Sequence, residues 1–455
     1  MLRVIVRSSA DASAVRAAIE RFHEGIINEV IHVGGVRGSK FWDRVDELVK
    51  DRDTFNIVLT GRRDYNTEDY LHLDALPHVA TALIPKAEVR HATLSEISKY
   101  INQARVKFRM SVGWEPEVNA YKAKVSEDKL LSKDIVNPLH DVFPLTQDGV
   151  KHLEKIIDLE LHSDFVLLIR KHGGIHDIYL GDRKVAVIRF SDMGYKPDVI
   201  SKETTDIEYR NVNLEHTLSL NVEVLKTYEE ISLKLLKTFE DGVDQVIIPW
   251  SGGKDSTVAL LLAIKAFGRS NVIAIYSDTG VDFHENIEYI ESVSRKLGIN
   301  YIYVRAPVSE ELELGHSLPT HNSRWCTGLK KASIRSVINN YFRNKRILLV
   351  LGDRDAESIG RSRKSFMEYE GKNIINVYPL KLWSALHTHL YLTYNGLPLN
   401  KLYLKGFYRI GCYICPSLRN WELSILLNNN EFIKRYYSSG VGIKFLRFKG
   451  INSLP

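Results

Sequence analysis

Residues 246–264 read VIIPWSGGKDSTVALLLAI, and the succession of an apolar run, a glycine turn and a second apolar run decides the fold. Val246, Ile247 and Ile248 have the length and branching of a fully buried strand, and Thr257 to Ile264 form an apolar segment suited to a buried helix. Ser251, Gly252, Gly253, Lys254, Asp255 and Ser256 occupy the turn between them. A helix start offers unpaired N–H groups and the positive end of the helix dipole, so this turn suits an anion. The glycines let the backbone approach a phosphate closely, the serine hydroxyls add donors, and Lys254 adds a point charge. The expected ligand is an oligophosphate, with pyrophosphate the best match. The Walker spacing is not met, because it needs a glycine where Ile248 stands.

Working outward toward the C-terminus, Val272–Tyr276, Tyr301–Val304 and Ile347–Leu351 read as further buried strands, with a helix over His284–Leu297. This alternation implies right-handed crossovers, a parallel sheet and ligands at the carboxyl ends of its strands. Asp278 stands at such an end, placed either to contact a ribose or adenine or to cap the next helix. After the fourth strand, Gly352, Arg354, Asp355, Glu357, Arg361 and Arg363 crowd together, either as a solvated loop or as guanidinium groups suited to an α-phosphate.

Toward the N-terminus the expected elements are strands at Leu2–Val6, Val30–Val33, Asn56–Leu59 and Ala87–His91. They alternate with helices at Ala12–Ile26, Phe41–Val49, Leu71–Ile84 and Thr93–Val106, making a small α/β domain over residues 1–110. Thr93 and Glu96 have capping-box spacing, and HVGGVRGSK at 32–40 reads as a glycine-rich turn. Residues 111–137 read as a linker, Gln147–Leu161 as a helix, and Phe165–Arg170, Ile175–Leu180 and Val185–Phe190 as three strands joined by glycine turns. Met193–Leu218 reads as a connector, and Leu225–Phe239 as the helix leading into the phosphate loop. The expected architecture is α/β: a Rossmann-like parallel sheet domain over 223–455, preceded by the small α/β domain and, within 111–222, a β-rich module that is either RNA-binding or simply solvated.

A length of 455 residues fits about three domains. With 44% hydrophobic and 26% charged residues the composition is that of a globular protein with ample core. No apolar run reaches membrane-spanning length, and residues 1–9 lack the layout of a signal peptide, so a cytoplasmic location without a membrane partner is expected. A net charge of +6 favours polyanionic partners, although a mildly basic surface has the same charge. The chain has three cysteines, Cys326, Cys412 and Cys415, an odd number that argues against a disulfide framework.

The hexapeptide Ser251–Ser256 resembles the PP-loop of the ATP pyrophosphatase superfamily, whose members cleave ATP between its α and β phosphates. Four further strings narrow the resemblance: SDTGVDFHENIEYI at 277–290, RWCTGLKK at 324–331, GDRDAESIGRSR at 352–363 and NKLYLKGFYRIGCYICP at 400–416. Together, over roughly 245–420, they resemble the phosphoadenosine phosphosulfate reductase family. The resemblance implies ATP and Mg²⁺ as cofactors. It implies nucleotide contacts from Ser251, Gly252, Gly253, Lys254, Asp255, Ser256, Asp278 and Gly352, and catalytic roles for Lys254, Asp255, Arg354 and Arg361.

In relatives with an iron–sulfur cluster, a cysteine pair in the string matching 324–331 joins a later Cys-x-x-Cys. Here Trp325 stands at the first position of the pair, so the implied ligands of a [4Fe–4S] cluster are Cys326, Cys412 and Cys415. Zn²⁺ on these cysteines with His321, His387 or His389 is the alternative, and uninvolved cysteines are the third. The intact loop favours whole ATP, and no cysteine follows Cys415 to serve as the nucleophile of sulfonucleotide reduction. The expectation is ATP-dependent adenylation of an acceptor, tRNA or another nucleic acid, followed by sulfur transfer from the cluster, with a donor protein or sulfide as partner. The alternatives are phosphosulfate reduction with an external thiol, an ATP sulfurylase-like adenylyltransferase, and a nucleotide-sensing nucleic-acid-binding protein.

Overall fold

Alternation of β-branched runs with amphipathic segments sets the first sheet, and the proline positions set where its elements stop. The computed structural model describes residues 1–134, 137–203, 212–438 and 440–454. They divide into two compact units, each assembled from separate stretches of sequence. One comprises 1–142, 213–242 and 351–391, and the other 143–212, 243–350 and 392–455. The contiguous division at 110 and 222 expected from composition is therefore not the grouping that the contacts make.

In the first unit, strands β1 (Leu2–Val6), β2 (Glu29–His32), β3 (Phe55–Gly61) and β4 (Val79–Ile84) form a parallel sheet in the order β2-β1-β3-β4. β3 is buried along its whole length. Ile5, Val58 and Val79 of the sheet pack against Phe41, Trp42 and Val45 of helix Ser39–Leu48 and Leu73 of helix Thr67–Asp74. The expected helix over Leu71–Ile84 is instead a helix ending at Asp74 followed by β4, because Pro77 cannot continue the i→i−4 ladder. The strand expected at Ala87–His91 is a 3₁₀ turn over Val89–His91. Helix Leu94–Met110 starts on the expected capping box: Glu96 N–H donates to Thr93 Oγ1 at 3.2 Å and Thr93 N–H to Glu96 Oε2 at 2.8 Å.

The stretch 111–137 is not a plain linker. It holds an antiparallel hairpin of β5 (Val112–Glu115) and β6 (Ala120–Ala123); residues 135 and 136 lie outside those described. The helix expected from Leu225 begins earlier, spanning Leu214–Lys237, and its side chains replace a missing strand partner for β6. Asn221 Oδ1 accepts from Ala123 N–H at 2.7 Å, Asn221 Nδ2 donates to Tyr121 O at 2.9 Å, and Thr217 Oγ1 accepts from Tyr121 N–H at 3.2 Å. Buried charges close this core. Asp355 takes Arg105 at 2.5 Å and Lys381 at 2.8 Å, while Asp141 takes Arg354 at 2.9 Å.

In the second unit, an antiparallel sheet runs in the order β11-β10-β9-β8-β7, from β7 (Asp141–Thr146), β8 (Phe165–Arg170), β9 (Ile175–Leu180), β10 (Arg183–Arg189) and β11 (Asp198–Lys202). The three expected strands are thus five. β11 falls in what composition marked as a connector, where its exposed residues carry no apolar alternation; part of that connector, 204–211, lies outside the described residues. The parallel strands β12 (Gln245–Pro249), β13 (Val272–Asp278), β14 (Tyr301–Arg305) and β15 (Ile347–Val350) run in the order β14-β13-β12-β15. The chain moves outward from β12 to β14 and then returns to the other side of β12. The carboxyl end of β12 is therefore a topological switch point, where open α/β sheets bind ligands. Among the described residues no helix is long and apolar enough to cross a membrane.

Two buried histidines give the folded state a pH dependence. His23 Nε2 lies 2.9 Å from Ser98 Oγ, His152 Nε2 lies 2.6 Å from Ser424 Oγ, and burial lowers both rings from 6.5 to about 4. Each ring stays neutral in the fold while the unfolded chain takes up a proton. Its contribution is complete above pH 6.5 and is lost as pH falls toward about 4. Thermal melts should show a falling Tm through that window, and His152→Gln should flatten the fall; an unchanged slope contradicts the assignment. Asp355→Ala should cost about 3–5 kcal/mol in denaturant unfolding, because it leaves Arg105 and Lys381 buried without a counter-charge.

Candidate functional site

The loop expected from sequence closes the gap between β12 and helix Lys254–Phe267. Its turn depends on Gly252, which has φ +72°, and a Cβ there would stand 2.3 Å from Asn286 Oδ1. Positive φ and the lack of space each require glycine at this position. Asn286, on helix His284–Leu297, holds the loop by donating from Nδ2 to Ser251 O at 2.8 Å. Within the loop, Ser251 N–H donates to Ser256 Oγ at 3.3 Å, and Ser256 Oγ donates to Gly253 O at 3.0 Å. Thr257 Oγ1 accepts from Trp250 Nε1 at 3.0 Å and donates to Gly253 O at 2.9 Å, tying the first helical turn to the strand end.

No side chain of the N-cap residue Gly253 satisfies the helix start, and Tyr403 does so from a distant stretch. Its hydroxyl accepts from Lys254 N–H at 3.1 Å. The Lys254 ammonium lies 5.4 Å from the Tyr403 ring centre and 2.8 Å from Asp255 Oδ2, with its side chain almost wholly buried. The lysine is therefore held at the loop by a carboxylate and an aromatic face. Asn286 and Tyr403 both lie inside strings that carried the family resemblance. Neither had a role legible from the string, because each acts through a contact with a loop far away in sequence.

Asp278 ends β13, beside the loop strand β12. Its carboxylate accepts from Gly280 N–H at 2.9 Å, Arg305 Nη1 at 2.6 Å and the Tyr303 hydroxyl. These bonds order the turn after β13. Gly352, Arg354 and Arg361 belong to the other unit. There Arg354 is buried, with Nη1 donating to Asp141 Oδ2 at 2.9 Å and Trp383 O at 3.3 Å, so its guanidinium serves that core. Arg361 pairs with Asp353 at 3.3 Å and Glu357 at 2.5 Å, and Gly352 follows β15.

The three cysteines are free thiols. Lys330 Nζ lies 3.6 Å from Asp282 Oδ1, and burial, which alone would lower the lysine's pKa, is opposed by that carboxylate, which raises it. Cys412 lies against the turn after β13, with Sγ 3.3 Å from Thr279 Oγ1 and donating to Asp282 Oδ1 at 3.2 Å. Cys412 is thus placed beside the turn that follows β13, at the carboxyl end of the parallel sheet. Burial pushes Cys412 well above the usual thiol range, with Asp282 adding to the effect. Burial would also raise the Asp282 carboxyl, but Lys330 and hydrogen bonds from Thr279, Cys412 and Tyr276 outweigh it and leave the group below its usual value. Lys449 anchors the stretch after the Cys-x-x-Cys, donating to Pro416 O and Leu418 O at 2.7 Å each.

The cysteine set departs from the expected metal centre. Among the described residues no group of three or more His, Cys, Asp or Glu side chains is arranged to hold a metal ion. The bonds that Cys412 makes are those of a protonated thiol. His321 lies 3.7 Å from Asp192, and His387 and His389 are hydrogen-bonded within helix Ala385–Tyr394 or at its start. The residues as placed do not form a ligand set for a [4Fe–4S] cluster or for Zn²⁺.

Residues 245–418 match a family described as phosphoadenosine phosphosulfate reductase domain. The chain is 33% identical over 252 residues to an uncharacterized protein of Methanocaldococcus jannaschii, covering 53% of this chain and 50% of that one. It therefore spans half of that relative's length. It is 28% identical over 171 residues to an adenosine 5′-phosphosulfate reductase of Chelativorans sp., covering 37% of this chain and 66% of that one. It is also 28% identical over 211 residues to sulfate adenylyltransferase subunit 2 of Shewanella sediminis, covering 41% and 69%.

Gly252→Ala should weaken binding of inorganic pyrophosphate at least tenfold by calorimetry, because the loop must abandon either its positive φ or the Asn286 contact. Tyr403→Phe should have a smaller effect, about fivefold, the worth of one neutral hydrogen bond. Equal affinities for parent and Gly252→Ala contradict this account of the loop.

Proposed function

Taking residues 245–418 as a phosphoadenosine phosphosulfate reductase domain, we propose that the protein binds whole ATP on the Ser251–Ser256 loop and transfers the adenylyl group to an acceptor, releasing pyrophosphate. The observation that carries this reading is the complete Ser-Gly-Gly-Lys-Asp-Ser turn, built at the switch point of the parallel sheet with Gly252 at φ +72°. A sulfonucleotide reductase needs no seat for outer phosphates, whereas an adenylating enzyme must stabilise a departing pyrophosphate.

In the proposed reaction an acceptor oxygen attacks the α-phosphorus, and the bond to the bridging α–β oxygen breaks. The electron pair leaves on pyrophosphate, and the acceptor's proton passes to solvent or to a base on the acceptor. Lys254 swings from Asp255 and Tyr403 to the β and γ phosphates, and the amides of the helix start hold the same oxygens. Mg²⁺ brought with the nucleotide, with Asp255 as the carboxylate at the loop, would supply neutralisation of the pyrophosphate charge. Asp278 orders the turn beside the nucleotide through Gly280 and Arg305.

The acceptor assigned by this reading is a nucleic acid, with tRNA preferred, in keeping with the net charge of +6. Sulfur as the incoming group is supported by Cys412, whose thiol lies 3.3 Å from Thr279 Oγ1 in the turn after β13, the strand beside β12. The adenylation chemistry stands without any metal on the thiols of Cys326, Cys412 and Cys415. Iron, zinc and sulfide analysis of anaerobically purified protein decides whether they ever act as ligands. Phosphosulfate reduction with an external thiol is the second reading, favoured by the same thiols and by the reductase relative.

Lys254→Ala should lower RNA-dependent pyrophosphate release from ATP by a factor on the order of 10² or more, measured with a coupled phosphate assay. Sulfite release from adenosine phosphosulfate plus dithiothreitol, with no pyrophosphate from ATP, would reject adenylation and support reduction.

A further inference from the structure

The sheet of the first unit has its own switch point. In the order β2-β1-β3-β4 the chain passes from β1 to β2 on one side and returns to β3 on the other, which opens a crevice at the carboxyl ends of β1 and β3. The segments after all four strands place charged groups there: Arg7 after β1, Arg37 in the glycine turn after β2, Arg63 and Asp64 after β3, and Glu88 and Arg90 after β4.

Glu88 is the hub. It is 1% exposed, yet four guanidinium groups reach its carboxylate: Arg37 at 2.5 Å, Arg63 at 3.3 Å, Arg90 at 2.5 Å and Arg7 at 3.4 Å. Its position is built by close backbone approach, since a Cβ on Gly61 would stand 2.7 Å from Glu88 Cα, and Arg63 N–H donates to Ala87 O at 3.2 Å. Arg7 is buried between Asp64 at 3.1 Å and Asp11 at 3.4 Å. The cluster therefore sets four guanidinium groups against three carboxylates.

The carboxylates are buried and the outer arginines are not. The side chains of Arg37, Arg63 and Arg90 are 46%, 61% and 41% exposed, and each uses only one edge of its fork on Glu88, with Arg37 also 3.7 Å from Asp64. Guanidinium groups fixed at one end with free N–H donors turned to water are pre-ordered for phosphate oxygens, because the entropy of holding the side chains is already spent. Their origin on three separate loops brings the donors to the crevice from three directions.

We infer that the carboxyl edge of the β1–β4 sheet is a polynucleotide-binding surface, on which Arg37, Arg63 and Arg90 grip the phosphodiester backbone of a single strand. The contact is to backbone and not to bases, so it supplies affinity and placement without sequence choice. It is separate from ATP chemistry at Lys254 and can be tested without turnover.

The test is fluorescence anisotropy of a labelled unstructured RNA oligonucleotide with the full chain across a salt series. Arg63→Glu and Arg37→Glu should each weaken binding at least tenfold, and the neutral Arg63→Gln should lower the slope of log K against log salt by about one. Lys99→Glu makes the same charge change on an exposed face of helix Leu94–Met110 and should leave binding within twofold. Circular dichroism and ATP affinity identical to parent show that the arginine variants fold. Affinity and salt slope unchanged in Arg63→Glu and Arg37→Glu, or an equal loss in Lys99→Glu, overturn the inference. Inorganic pyrophosphate displacing the RNA at equal phosphate concentration also overturns it and reassigns the crevice to a small oligophosphate.

Discussion

Gly252 is the constraint on which the phosphate loop depends. At φ +72°, and with no room for a Cβ beside Asn286, it turns the chain from the end of β12 into a helix within a few residues. That abrupt turn aims the helix start out of the carboxyl edge of the sheet, and the rest of the site follows from it. Asn286 locks the loop carbonyl, Tyr403 takes the first helical amide, and Lys254 is folded onto Asp255 and the Tyr403 ring. A side chain at position 252 would force the loop to give up either its positive φ or the Asn286 contact, and with it the geometry these partners support.

The same logic recurs in the first unit with different chemistry. There the strand order of a parallel sheet again switches sides between β1 and β3, but the crevice holds a buried carboxylate and a fan of arginines in place of a glycine-rich helix start. A helix start recognises phosphate through backbone amides and needs bare glycines, whereas a guanidinium fan reaches outward and needs a buried anchor. One arrangement suits a nucleotide enclosed against the sheet and the other an extended polyanion lying across an edge. Cys412 and Lys330 meet at Asp282 in a third assembly, in which hydrogen bonds to Asp282 and Thr279 occupy Cys412.

Where the sequence was legible, the signal was local. The strand, turn and helix around Ser251–Ser256, the capping box at Thr93 and Glu96, and the hairpin turns at Gly173-Gly174 and Gly181-Asp182 each involve residues within a few positions of one another. The misread elements had a competing local signal. Leu71–Ile84 keeps an apolar periodicity across Pro77, and the exposed β11 has no apolar face to announce it. β5 and β6 were hidden for a related reason, since helix side chains from Thr217 and Asn221 complete the pairing of β6. The two units take shape only after stretches from three parts of the chain come together, which no run of composition displays.

By itself the sequence determined that an anion cradle stands between a buried strand and a buried helix, because conformational freedom at glycine and donors at a helix start belong to adjacent residues. Only the tertiary structure decided that Asn286 and Tyr403 hold that cradle, that Arg354 is paired with Asp141, that Cys412 and Lys330 meet at Asp282, and that four arginines share Glu88. Which side chains meet at the carboxyl end of a sheet is set by strand order and crossover. Strand order depends on burying apolar faces across the whole chain and leaves no mark on the polar residues it brings together.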